Sequence, residues 1–195
     1  MTYEPIILPR LLENGFTGRT GHPGGYDAID RAARLIDPES YLEIGVLDGA
    51  SALTVINAAP KLKRIVLCDA FAEEWQHLAG GSRGQPPLQR LGQFLNGHMA
   101  RVEILQGNSN SIVPTLKGPF DLITVDGSHD YNIARNDILN TLPLLRVGGL
   151  LVWDDSSRGE MQRITAELLQ PAKMRHVFTV DDGADATSVY EKVQP

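Results

Sequence analysis

The sequence is poor in the features that mark secreted, membrane-spanning or nucleic-acid-binding chains. Cys68 is the only cysteine in 195 residues, which excludes a disulfide framework. Its place in the apolar run Arg64 to Asp69 reads as a small buried strand residue, not a nucleophile. No apolar run approaches the ~18 residues needed to span a bilayer, and Met1 to Arg10 lacks a basic stretch leading into an apolar core. A cytoplasmic address is therefore expected, with no membrane partner. Lysine and arginine total 18 against 24 aspartates and glutamates, a formal charge of -6. That balance leaves no electrostatic footprint for nucleic acid and favours a small-molecule partner. The rest, 42% hydrophobic and 22% charged, is ordinary for a globular chain long enough for one well-buried domain and short for two.

The most informative stretch is Tyr41 to Ser51. Tyr41 to Val46 has the content of a buried strand. Gly45 and Gly49 permit a tight turn with close backbone approach, and Ala50 to Ala58 reads as a helix whose free N–H groups face that turn. A pyrophosphate-binding turn would carry G-x-G-x-x-G, but Glu43 stands here where the first glycine would be. A carboxylate in a low-dielectric cleft repels a pyrophosphate and attracts a ligand with an ammonium and a sulfonium. S-adenosylmethionine carries both groups.

Along the chain, residues 1–25 hold Pro5, Pro9, Pro23 and five glycines, too much punctuation for a long helix, and are read as an N-terminal arm or lid. Residues 26–195 are read as a single domain. Asp27 to Ile36 has helical spacing. Arg64 to Asp69 is a second strand whose last residue lies twenty-four positions after Gly45, where doubly wound folds hydrogen-bond a ribose. Phe71 to Gly84, with Trp75 and His77, reads as a long loop, and Leu88, Leu91 and Leu95 support a helix. Val102 to Leu105 is a third strand, and the turn Gln106 to Ser109 places Asn108 and Ser109 within reach of an adenine edge. Phe120 to Asp126 and Val147 to Asp155 are the fourth and fifth strands. Ser157 to Glu160 reads as a capping box for a helix over Glu160 to Leu169. Arg175 to Val180 and Ser188 to Val193 form a hairpin. The expected architecture is α/β: a doubly wound, Rossmann-like, mostly parallel seven-stranded sheet with an antiparallel C-terminal hairpin strand.

Ligands of such sheets bind beyond the carboxyl ends of the strands. Adjacent strands four and five lie about 4.8 Å apart, so Asp126, Asp154 and Asp155 are expected to meet there. Three carboxylates so close repel unless a cation or a proton intervenes, and hard oxygen donors suit Mg²⁺ or another divalent cation. The structural alternative is an aspartate capping the next helix. His129, three residues beyond Asp126, is the candidate general base, with Asp130 as its substitute.

The motifs Tyr41-Leu42-Glu43-Ile44-Gly45 to Ser51, Asp69, Phe120 to Tyr131 with its Asp126-Gly127-Ser128-His129-Asp130-Tyr131 block, and Gly148 to Asp155 resemble class I S-adenosylmethionine-dependent methyltransferases. The similarity is narrowest to small Mg-dependent O-methyltransferases of the catechol and macrolide-sugar kind. The resemblance implies a cofactor held by Glu43, Gly45, Val46, Gly49, Ser51, Asp69, Ala70, Asn108, Ser109 and Asp126. It also implies Mg²⁺ on Asp126, Asp154 and Asp155, with His129 as base. Asp154-Asp155 follows the sugar-type pattern, where catechol-type members commonly have Asp-Asn. The expected activity is O-methylation of a small-molecule hydroxyl, in a sugar or a catechol-like diol, by a protein compatible with homo-oligomers. The alternatives are a metal-independent N- or C-methyltransferase and a cofactor-binding module without turnover.

Overall fold

The computed structural model describes residues 4–13, 22–71, 91–92, 95, 97–172 and 174–194. The expected loop with Trp75 and His77 and the start of the Leu88 helix lie outside them. Seven strands, β1 (Ser40–Ile44), β2 (Arg64–Asp69), β3 (Val102–Gln106), β4 (Phe120–Val125), β5 (Leu145–Trp153), β6 (Met174–Asp181) and β7 (Ala186–Lys192), form one sheet in the order β3-β2-β1-β4-β5-β7-β6. β1 to β5 pair in parallel, and β7 enters antiparallel between β5 and β6.

Strand alternation divides the core into two layers. Tyr41, Ile65, Leu67, Leu122 and Val152 face α2 (Pro23–Ile36) and α3 (Ala50–Ala58), where Ala28, Ala32, Ala52 and Val55 let the helix backbones approach closely. Leu42, Val66, Ile123, Leu151 and Trp153 face α5 (Tyr131–Thr141) and α6 (Gly159–Ile164) through Ala134, Ile138, Met161 and Ile164. A short α4 (Ser109–Ile112) follows β3. With both faces covered, the strands read as near-continuous apolar runs.

Three boundaries differ from the sequence reading. α2 begins at Pro23, a residue suited to the first helical turn, four residues before the Asp27 start expected for this helix. Gly24 is needed there because a Cβ would lie 3.1 Å from the Asp182 carboxylate. Upstream, Ile7–Glu13 forms α1, whose Ile7, Leu8 and Leu11 pack against Ala50, Tyr26 and Leu53. The carboxylate of Asp27 accepts the N–H groups of Ile6 and Ile7. After β5, the capping box does not form. Ser157 Oγ donates to Asp185, α6 starts at Gly159 without a side-chain cap, and Thr165–Leu169 continue as a π turn.

Asp121 ties the bottoms of three strands together. One oxygen accepts from Glu39 N, Ser40 N and Ser40 Oγ at 2.8–2.9 Å, and the other pairs with Arg146. Burial alone would raise its pKa, but the Arg146 guanidinium and the Ser40 and Glu39 donors hold it below the usual value. A depressed carboxyl contributes stability that is complete above its unfolded value and is lost as pH falls through the folded one. Asp121→Asn should therefore lower unfolding free energy in urea by about 1.5–3 kcal/mol at neutral pH. The gap to the parent chain should close in acid, below about pH 3.9.

Candidate active site at the strand tips

The turn after β1 crosses directly under the chain leaving β4. Gly45 has φ +86°, and a Cβ there would lie 1.8 Å from the Asp126 carbonyl oxygen, so no other residue fits without moving the backbone. Asp69 fixes this turn from the tip of β2. Its Oδ2 accepts Val46 N at 2.7 Å and Leu47 N at 2.9 Å, and its Oδ1 accepts Phe71 N at 2.6 Å. Gly49, φ +87°, packs against Leu91, whose Cδ1 is 2.3 Å from an ideal Cβ.

Over this turn lies an open cleft of about 680 Å³, counted together with the solvent space at its mouth. Gly45, Val46 and Ser51 line one side, Asp126, Asp154 and Asp155 another, and His22, Tyr26, Thr124 and Thr187 complete the wall. The cleft is acidic. Burial, followed by the charges of Asp48, Asp126, Asp154 and Glu43, pushes the Tyr26 phenol far above its ordinary range.

The two aspartates that follow β5 diverge, because the chain turns there with Asp155 in the left-handed region. Asp154 turns to His22, whose Nε2 lies 3.2 Å from Asp154 Oδ1 and 3.0 Å from Thr187 Oγ1, and Thr187 Oγ1 also donates to Asp154. The other ring nitrogen, Nδ1, is 2.7 Å from Asp182 Oδ2. Burial would lower the pKa of His22, but the hydrogen bond and charge of Asp154 and the charge of Asp182 raise it to about 9. Asp154 is held low by His22 and Thr187 in spite of its burial. Burial and the Asp154 and Asp155 charges push Asp126 well up.

Asp155, at φ +49°, points the other way. It pairs with His129 Nε2, and its Oδ1 is 2.9 Å from Arg158 Nη2. Arg158 Nη1 is 3.0 Å from His129 Nδ1, and its Nε is 2.6 Å from Asp185 Oδ2. Both ring nitrogens of His129 thus have partners. Asp126, His129 and Asp155 bring three donor atoms within 4.8 Å of one another.

Of the three aspartates expected to meet, all line the cleft, but the donor atoms that converge within 4.8 Å are those of Asp126, His129 and Asp155, while Asp154 bonds His22 and Thr187. Glu43 lies beneath the cleft, fully buried. Asp69 faces backbone N–H groups of its own turn. Asn108 accepts Asn110 N at the start of α4, and neither it, Ser109 nor Ala70 lines the cleft. Asp130 caps α5 through Asn132 N and Ile133 N and is no base in this arrangement. Sequence reasoning missed Thr124, Thr187, Arg158 and Asp185 altogether. Of these only Thr124 gave a signal, two residues before the acid that ends β4.

Residues 42–156 match the model of a family described as a methyltransferase domain. An O-methyltransferase of Aspergillus hancockii is 26% identical over 62% of this chain and 44% of its own length. A catechol O-methyltransferase of Mycobacterium tuberculosis is 28% identical over 80% of this chain and 67% of its own. The chain thus spans less than half the length of the first relative. Among solved structures, the O-methyltransferase TomG of Streptomyces achromogenes, in complex with SAM, aligns with a TM-score of 0.69 at 19% identity, over 100% of this chain and 92% of that one. An SAH-bound methyltransferase of Podospora anserina aligns with a TM-score of 0.69 at 18% identity, over 99% and 91%. At such identities the structural likeness speaks to the fold.

Gly45 and Gly183 share a left-handed φ of +86°, but nothing lies within 4 Å of a Cβ on Gly183. Gly183→Ala should cost about 1–3 kcal/mol from φ alone. Gly45→Ala adds the clash with the Asp126 carbonyl and should lose clearly more, read as the difference between their urea midpoints.

Proposed function

The chain belongs to the methyltransferase-domain family, and on that premise we propose that it transfers the methyl group of S-adenosylmethionine to a hydroxyl oxygen of a small molecule, a sugar or a catechol-like diol. The observation that carries the reading is the cleft's chemistry. A glycine turn admits a ligand close to the backbone above β1, and the groups around it are acidic. The buried oxygens of Glu43 and Thr124 make no hydrogen bond of good geometry. A ligand with an ammonium, a sulfonium and hydroxyls fits that set, and an anionic one does not.

Transfer needs the acceptor oxygen in line behind the methyl group and a destination for the hydroxyl proton. Orientation comes from the rigid strand tips, and holding both reactants there supplies most of the rate. His129 is the proposed acceptor, and to act it must release either Asp155 or Arg158. Asp126 and Asp155, joined by His129 only where it does not serve as the base, would hold a divalent cation, Mg²⁺ or another, because the crowding that raises Asp126 is relieved by positive charge. Such a cation supplies charge that makes a nearby hydroxyl more acidic. The imidazole in the set extends the candidates from Mg²⁺ toward Mn²⁺ and Zn²⁺.

Arg158 favours a second reading, metal-independent transfer, since its guanidinium already brings positive charge to Asp155 and His129. Transfer of labelled methyl from S-adenosylmethionine to a panel of diols, before and after EDTA and divalent add-back, decides between them. Loss and recovery are expected. Turnover unaffected by EDTA but lost in Arg158→Ala would establish the second reading. His129→Ala should lose roughly 10²–10⁴-fold in turnover with ligand affinity little changed. Near-full turnover in that variant would remove His129 from the chemistry.

A further inference from the structure

We propose that Glu43 selects the charge of the ligand by exchanging its own proton for it: the cleft binds S-adenosylmethionine only as Glu43 ionises, so binding releases a proton from the protein. This rests on the function proposed above and adds a property of one side chain to it.

The geometry is that of a carboxyl group with nothing to neutralise it. Glu43 is 0% exposed, and its oxygens make no hydrogen bond of good geometry, although the Tyr41 and Ser51 hydroxyls stand close enough to favour its charged form. Its neighbours across the sheet are Leu67 of β2 and Thr124 of β4, and Tyr41 precedes it by two residues on the same face. The Tyr41 hydroxyl and Thr124 Oγ1 are likewise buried without such a bond. Three orphaned polar groups therefore lie together in a layer otherwise filled by alanine, leucine and valine. Thr124 and the nearby Ser51 line the cleft, which places the group just under its floor.

Among the described residues, the charged groups that act on Glu43 are acidic or phenolic. They are Tyr41 on its own strand, Asp69 at the tip of β2, Asp48 in the turn, Tyr26 on α2 and Asp126 after β4. An isolated buried carboxylate costs several kcal/mol, so with no cation present the group keeps its proton. Burial, with Asp69 and Asp48 adding to it against the Tyr41 and Ser51 hydroxyls, raises the group to about 8. A cation brought onto the floor reverses the balance. The carboxyl O–H bond breaks, its proton passes to solvent, and the carboxylate left behind faces the positive ligand.

The sign of the pH dependence follows. Below about pH 8 the protein must give up a proton to bind, so affinity should weaken by about tenfold per pH unit as acid is added. At about pH 6.5 the ligand's α-amino group, ordinarily near 7.8, is still an ammonium and contributes little. Titration calorimetry at that pH in buffers of different ionisation enthalpy counts the protons released. The count for the parent chain minus that for Glu43→Gln should be close to one, since any proton leaving Asp126 is common to both. 5′-Methylthioadenosine, a nucleoside with neither positive group, should bind with no such difference. Equal counts in the two chains, or the same release with the neutral nucleoside, overturn the proposal while leaving the methyltransferase reading intact. Absence of binding by both ligands overturns the reading and the proposal with it. A carbon-13 NMR titration of the free parent chain gives a check without ligand. A Glu43 carboxyl midpoint near 8 supports the proposal, and one in the ordinary range near 4.3 sinks it.

Discussion

The carboxylate of Asp69 accepts the N–H groups of Val46, Leu47 and Phe71, and so one side chain at the tip of β2 sets both the turn after β1 and the departure of the chain from β2. The cleft depends on that hold. With the turn pinned, Gly45 can run beneath the Asp126 carbonyl, α3 starts at the cleft edge, and the tips of β1 and β4 come to a fixed separation. The three donated hydrogen bonds also use acceptor capacity that doubly wound folds commonly direct at a ribose. In this chain the residue's first duty is to the backbone, and any ligand contact is made by a group already oriented.

Charge is the second constraint. Glu43, Asp48, Asp126, Asp154 and Asp155 crowd around a single cleft, and the protein balances them in three distinct ways. Glu43 stays neutral by burial. Asp126 is pushed well up, with His22 steadying the ionised Asp154 beside it. Asp155 leans on Arg158 and His129. Each device leaves the site receptive to positive charge in a different place, at the floor, at the β4 tip and at the mouth. That division keeps the three places apart, so that positive charge brought to one need not meet positive charge at another.

Much of the fold was legible because it rests on local pattern. The apolar runs, the glycine turn after β1 and the acids ending β2, β4 and β5 are all set by nearest neighbours along the chain, and the strand count and the reversed hairpin followed from them. The identity of each acid's partner was not legible. Asp154 and Asp155 look equivalent in sequence, yet the left-handed turn at Asp155 just past β5 sends it to His129 while Asp154 goes to His22. The capping box failed for a similar reason: Ser157 prefers Asp185, a partner twenty-eight residues away that only the closed hairpin supplies. The start of α2 was missed because Pro23 and two glycines look like a loop, although the proline opens the helix and Gly24 makes room for Asp182.

His22 joins Asp182 and Thr187 across 160 and 165 residues of chain. Contacts of that span are the slowest to form, since the loop they close must be ordered before they contribute. β7 also supplies the neighbour of β5 on the side away from β4. During synthesis, then, a chain that has emerged only through β5 carries an open strand edge and a His22 that still lacks Asp182 and Thr187. The cleft matures last, and the step that finishes it also covers the surface most prone to pairing with another chain.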